Sequence, residues 1–337
     1  MRWIVFWSSI DEIKANRADA ERRIAGVSGK SASFVMRHND IPEGRGQMKI
    51  GFTKMHGCGN DYIYINGAGI TMDGEEKAKM VRMLSDRHFG VGGDGVIFIH
   101  SLDGEGAGAD FEMEMYNADG SRAEMCGNGI RCVAKYVYDK GLTDKEAVRI
   151  ASCGNVKYLE LTVEEGKVKS VKVNMGAPIL KAEDIPVVSG QEEAIAERIE
   201  VEGKEYEMTC VSMGNPHAVI FMKEWEDLDG FAIEKTGPYF ENHMRFPRRT
   251  NTEFVKVLDR NTVQMRVWER GTGETLACGT GACATAVACI LNGLTEEEVT
   301  VKLLGGELKI RWDRKENTVY MTGPAETVFE GEIEMEV

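Results

Sequence analysis

The eight cysteines of this chain (positions 58, 126, 132, 153, 210, 278, 283 and 289) contain no C-x-x-C pair, which removes the usual support for a zinc ribbon or a thioredoxin-like redox centre. Several sit in apolar surroundings, where a thiol behaves as a small hydrophobe, so they read as reduced thiols of a cytoplasmic protein. Proline is scarce, with 7 in 337 residues, and there is no low-complexity tract; with 42% hydrophobic residues the chain is long enough for two ordinary globular domains. No run reaches the roughly 20 apolar residues of a membrane span. The opening "MRWIVFWSSI" meets Asp11, Glu12 and Lys14 too soon for a secretory signal. Basic surplus is missing as well: the net charge of −14 argues against nucleic acid or an anionic membrane as partner. It leaves a small-molecule site open.

Composition changes near Met48. Residues 1–47 carry a slight basic surplus and include "GVSGKSAS" and "PEGRGQ", which reads as a poorly ordered extension or a non-native start. From Met48 onward the chain repeats itself. "GCGNDYIYI" (57–65) matches "SMGNPHAVI" (212–220), and the alternating strand "FEMEMYNADG" (111–120) matches "VQMRVWERG" (263–271). Each of the latter leads into a Cys-Gly-x-Gly, "MCGNGIRC" (125–132) and "ACGTGACA" (277–284), and then into a helix. The first helix places Ile130, Val133, Ala134 and Val137 on one face and stops at Gly141. The second, "GACATAVACILNG", is small and apolar nearly all round, as an enclosed helix is, and stops at Gly293. Strand pairs follow both helices, with "NMGAP" (174–178) and "MTGPA" (321–325) as matching exits.

The expected fold is α+β: two pseudo-symmetric halves, each a curved, mostly antiparallel, barrel-like sheet around a central helix, with the active site in the cleft between them. The first half is 48–176, with 323–337 crossing back to it, and the second is 177–322.

A helix start offers unpaired N–H groups and the positive end of the helix dipole. A cysteine there is favoured as thiolate, and following glycines let an anion approach the backbone. Two such starts related by a pseudo-twofold axis would set one sulfur on each side of a bound α-carbon. Cys126 and Cys278 would then be opposed acid and base, removing a proton from one face and delivering one to the other. No lysine-bearing pyridoxal motif accompanies them, so the chemistry reads as cofactor-free, with no metal. Cys132, Cys283 and Cys289 lie deeper in the helices and read as packing residues. His56 and Cys58 do not make a metal site, and Gly92 to Gly95 reads as a loop.

At "KMHGCGNDY", "RHFGVGGDG", "YNADGSRAEMCGNGIRC", "SMGNPH", "RTNTEF", "ERGTGETLACGTGA" and "YMTGPA" the chain resembles the diaminopimelate epimerase family over 48–337. The resemblance implies cofactor-free interconversion of LL- and meso-diaminopimelate, on the route to lysine and peptidoglycan, by a homodimer. It implies Cys126 and Cys278 as the acid/base pair and His217 and Glu269 as the polar pair beside the reacting centre. Gly127, Asn128, Gly279 and Thr280 match the residues that hold the reacting end of the substrate. Asn60, Asn117, Asn215, Asn251, Glu269 and Arg270 match the remaining contacts, with Arg270 suited to clamp a distal carboxylate. Two positions depart from some relatives: Gly95 stands where they carry glutamine, and Phe329 where they carry a tyrosine at the subunit contact. Taken singly, Asn60, Asn117 and Asn215 also suit ordinary turns. The rival readings are a proline or hydroxyproline racemase, which the Asn set and Arg270 disfavour, and a non-catalytic thiol or metal-binding module.

Overall fold

The computed structural model describes residues 47–102, 108–123, 126–223 and 226–336. The expected extension, residues 1–47, lies outside them apart from the backbone of Gln47. The chain divides into two compact units. The smaller joins the segment ending at Thr53 to the segment from Phe329 onward; in it the Phe52 and Phe329 rings meet edge to face at 5.9 Å, and Lys49 pairs with Glu334 at 3.1 Å. The larger, Lys54–Val328, contains both copies of the repeat.

In that unit the repeat seen in the sequence is a repeat of topology. Asn60–Asn66 runs parallel to Gly95–Ser101, which is antiparallel to Phe111–Asn117, which is parallel to Ala147–Ser152. From there the chain turns back through Asn155–Glu164 and Lys167–Gly176 in antiparallel order. The second copy follows the same rule. Pro216–Phe221 is parallel to Asn251–Asp259, and this is antiparallel to Thr262–Glu269. That strand is parallel to Glu298–Leu303, which continues antiparallel through Gly306–Asp313 and Thr318–Gly323. Thr318–Gly323 also pairs antiparallel with Lys167–Gly176, which ties the copies together. The sheet that these strands build is not closed.

Each parallel pair needs a crossover, and the crossovers carry the helices. α1 (Gly74–Ser85) and α3 (Ile233–Glu241) bridge the first parallel pair of each copy. α1 starts on a full capping box, Asp73 with Glu76. α2 (Gly127–Asp139) and α4 (Gly279–Leu291) bridge the second parallel pair. Ile130, Val133, Ala134 and Val137 of α2 are fully buried, as their spacing predicts, and α4 is buried on nearly every side. Both helices end as read, with Gly141 and Gly293 in the left-handed region at φ 70° and 68°. One apolar core includes residues of both helices, and a second lies between α3 and its strands. No described helix is long and apolar enough to cross a membrane.

Candidate active site

Cys126 and Cys278 are the N-cap residues of α2 and α4. Each has extended backbone, and each sulfur accepts the N–H of the third helical residue, Gly129 at 3.3 Å and Gly281 at 3.4 Å. The two helix starts meet through their first glycines. A Cβ added to Gly127 would lie 3.9 Å from the Gly279 Cα, and one added to Gly279 would lie 3.8 Å from the Gly127 Cα; either would also press on Met321. Asn128 spans the junction, its Nδ2 donating to the Ala277 carbonyl at 3.4 Å. The opposite helix start would thus be in ordinary contact with such a Cβ, and the crowding at both glycines comes from the Met321 side chain at 3.1 and 3.2 Å, a packing reason for glycine beyond ligand access.

Around the Cys126 sulfur, the thiol donates to Asn60 Oδ1 at 3.1 Å. Asn60 is held in turn by Asp94, which accepts its Nδ2 at 2.8 Å and the Asp61 N–H at 3.1 Å. Arg87 bridges Asp61 and Asp94 at 2.7 and 2.8 Å, and buried Lys54 reaches Asp61 at 2.6 Å and the Gly92 carbonyl. The loop of "RHFGVGGDG" therefore fixes a site asparagine through a charged network. At Gly95 a Cβ would stand 2.0 Å from the Tyr116 carbonyl oxygen, so a glutamine there requires the strand to shift.

On the Cys278 side, Thr280 Oγ1 lies 3.5 Å from the sulfur. His217 is fully buried, with Nε2 at 3.0 Å from Asn215 Oδ1 and Nδ1 at 2.7 Å from Glu253 Oε1. Glu253 is fully buried too, its Oε2 has no hydrogen-bond partner, and a Cβ on Gly281 would come within 2.6 Å of its Oε1. Glu269 accepts the Thr275 hydroxyl. Asn251, opposite His217 in the parallel ladder, donates to the Pro216 carbonyl and accepts the Arg270 N–H, both at 2.9 Å. The exposed Arg270 guanidinium donates to the Arg248 carbonyl at 3.0 Å. Buried Glu241 secures the next turn by accepting the Gly271 N–H and Arg249 Nη1, each at 2.9 Å. Asn117 spends its amide locally, donating Nδ2 to Ser121 Oγ at 3.1 Å.

Charge in the site differs from the expectation of depressed thiols. Burial pushes the Cys126 thiol up, and the N–H groups of Gly129 and Asn128 together with Arg131 only partly oppose this. Cys278 lies well above the ordinary value, through burial first and then the nearby Glu269 and Glu253 carboxyls. Burial also raises Glu269, against the Thr275 hydrogen bond and His217. The helix starts act in the direction read from the sequence, but loss of solvent around each sulfur outweighs them. A raised thiol carries less thiolate at neutral pH than an ordinary one, whose reference value is 9.0. If a thiolate is the base, kcat/KM should keep climbing as pH rises from about 7 past about 9. A pH-rate profile already flat at neutrality would contradict this.

The profile of the family described as Diaminopimelate epimerase matches residues 52–181 and 209–328. The chain belongs to the diaminopimelate epimerase family. Its relatives include a diaminopimelate epimerase of Acetivibrio thermocellus, 56% identical over 284 residues that cover 84% of this chain and 98% of the other. A diaminopimelate epimerase of Methanococcus maripaludis is 55% identical over 84% of this chain and 99% of its own. This is a family of isomerases. Among solved structures, a Bacillus anthracis phenazine biosynthesis protein of the PhzF family superposes with a TM-score of 0.61 at 18% identity, covering 85% of this chain and 99% of that one. A hydroxyproline epimerase from Agrobacterium vitis gives 0.58 at 13%, covering 86% and 92%. At such identities these two show the shared fold alone.

Among the residues of the candidate site that escaped the sequence reading are Glu253, Asp94 and Arg131. All three stand inside family motifs, in "RTNTEF", "RHFGVGGDG" and "CGNGIRC". Glu253 left a signal, being an acid directly before the apolar Phe254 and Val255 in a strand whose first five residues are buried.

Proposed function

We propose that the protein interconverts LL- and meso-diaminopimelate without a cofactor, Cys126 and Cys278 serving as opposed acid and base. The observation that carries this reading is the meeting of two cysteine-capped helix starts through Gly127 and Gly279. A substrate carboxylate bound at the junction would face the free N–H groups of both helices. One sulfur, as thiolate, takes the α-proton; the other, as thiol, delivers its own proton to the opposite face, and the roles exchange in the reverse reaction. The helix-start amides stabilise the carboxylate as it takes on enolate-like charge. His217 and Glu269 tune charge beside Cys278, a role supported by the full burial of His217, by its action on Glu269 and by the action of Glu269 on the Cys278 thiol. Asn60, Asn117, Asn215, Asn251 and the Gly127–Asn128 and Gly279–Thr280 pairs bind the zwitterion, and Arg270 receives the distal carboxylate. The reading extends to halves 48–176 and 177–322, to a homodimer involving the strand that carries exposed Phe329, and to the cytoplasm, where eight free thiols and the route to lysine and peptidoglycan belong.

The test is purified protein with LL-diaminopimelate in deuterated water. Early product should carry α-deuterium while unreacted substrate carries little; equal early labelling of both would point to a single exchanging base. Proline in place of diaminopimelate should give no turnover. Arg270→Lys keeps the charge and loses the planar fork, so KM should rise more than about tenfold, from a charge-assisted contact of about 1.5–3 kcal/mol. At saturating substrate kcat should survive. An unchanged KM would remove Arg270 from the site.

A further inference from the structure

Arg131 heads the fully buried side chains by size, with no measurable exposure. A buried guanidinium ordinarily faces a carboxylate, since an unpaired buried cation costs several kcal/mol. Here every acceptor within reach is neutral. Nε donates to the Pro324 carbonyl at 3.1 Å. Nη1 donates to the Gly127 carbonyl at 3.1 Å and faces Met321 Sδ at 3.7 Å. Nη2 donates to Asn128 Oδ1 at 3.0 Å and faces Cys58 Sγ at 3.9 Å. Among the described residues it has no acidic partner. Its donors are therefore satisfied while its charge is not.

Room for this cation is made by two distant parts of the chain. A Cβ on Gly57 would come within 3.0 Å of Nη2, and one on Gly323 within 3.1 Å of Nε. Cys58 takes φ 52° beside it. "KMHGCGNDY" and "YMTGPA", whose glycines, Cys58, Met321 and Pro324 have no part in the proton chemistry, thus converge with "CGNGIRC" on one guanidinium. Its two firmest contacts in α2 are to Gly127 and Asn128, the residues expected to hold the substrate carboxylate. The first turn of α2 contains no acid, so dipole and guanidinium act with the same sign at that helix start. α4 also lacks an acid in its first turn, but Glu253 abuts its Gly281 and both Glu269 and Glu253 act against a Cys278 thiolate, whereas at Cys126 the pull of Arg131 is larger than the push of Glu269.

We propose that Arg131 is a positioning residue whose buried, carboxylate-free guanidinium braces Gly127 and Asn128 and makes the start of α2, rather than that of α4, the anionic end of the site. The missing counter-ion is supplied by the site itself, as the Cys126 thiolate or as the bound α-carboxylate. The two cysteines are then unequal despite their matching places in the repeat. The direction in which Arg131 acts on Cys126, toward the thiolate, agrees with this. The inference deepens the epimerase reading and rests on it for the carboxylate, but the thiolate half can be tested without substrate.

The experiment compares the full-length protein with Arg131→Gln and Arg131→Lys. Iodoacetamide alkylation of Cys126 is followed by peptide mass mapping across a pH series, alongside steady-state kinetics with LL-diaminopimelate. Gln should slow alkylation of Cys126 about tenfold or more at fixed pH, because loss of a nearby cation moves a thiol by a pKa unit or more. It should also raise KM and lower kcat. Lys should leave the alkylation profile in place and raise KM alone, since it keeps the charge and loses the fork. A folded Gln variant with an unshifted profile overturns the proposal. If Gln does not fold, Lys decides: an unmoved profile with a raised KM supports the proposal, whereas a shifted profile or an unchanged KM overturns it. If wild type does not turn over diaminopimelate, the functional reading fails, and the alkylation series still decides the role of Arg131.

Discussion

Replacing either Cys126 or Cys278 by alanine is expected to lower kcat for diaminopimelate epimerisation by about 10³-fold or more. Positioned acid–base catalysis contributes on the order of 10²–10⁴ per group, and two opposed groups act as one unit, so losing one leaves the other without a partner. The fold should tolerate the change. Cys126 and Cys278 each give their helix one weak sulfur cap bond, and alanine matches the small residues nearby. Circular dichroism and the urea midpoint should therefore stay close to wild type while turnover disappears. Cys132→Ala and Cys283→Ala make the contrast. Both thiols are fully buried in the core and pushed up to about 12 by burial, so their loss should affect stability and leave kcat within a few-fold. A Cys126→Ala variant that retains wild-type turnover would end the two-cysteine reading.

Glu253→Ala should cost the most stability of any single change near the site, about 3 kcal/mol. Breaking a buried pair from one side leaves the other member unpartnered, which typically costs about 3–5 kcal/mol. Here the abandoned group is His217 Nδ1, buried and 2.7 Å from the lost carboxylate. The variant should show a urea midpoint lowered at unchanged slope. Glu253→Gln keeps the shape and one hydrogen bond, so it should fall by roughly a third as much. If Glu253→Ala unfolds at the wild-type urea concentration, the pair contributes nothing to the fold. A second effect belongs to the helix start: the carboxylate fills the space a Gly281 side chain would take. Its removal should make Gly281→Ala, a clash of 2.6 Å in the wild type, better tolerated than in wild type, a coupling a double-mutant cycle would read.

Much of this molecule is local, and local order is what a sequence states openly. The alternation in "FEMEMYN" and "VQMRVWE" became strands Phe111–Asn117 and Thr262–Glu269, since a pleated strand puts every second side chain inward. The spacing of Ile130, Val133, Ala134 and Val137 became the buried face of α2, and Gly141 and Gly293 ended both helices because glycine takes the left-handed conformation there at no steric cost. Duplication was legible for the same reason: two copies of one local pattern, in one order, give two copies of one topology. The cysteine caps followed from Cys-Gly-x-Gly itself.

Tertiary structure decided what depends on residues far apart in the chain. Nothing near position 131 announces that its arginine is enclosed by Gly57, Cys58, Met321, Gly323 and Pro324, because those neighbours arrive from both ends of the repeat. Glu253 meets His217 across a parallel ladder that only a crossover brings together. Asp94 grips Asn60 from the loop that precedes Gly95–Ser101. The direction of the thiol shifts was misjudged from sequence for a related reason. A helix start is a local feature that favours the thiolate, whereas burial sums over every atom packed around the sulfur, and only the folded chain fixes that sum.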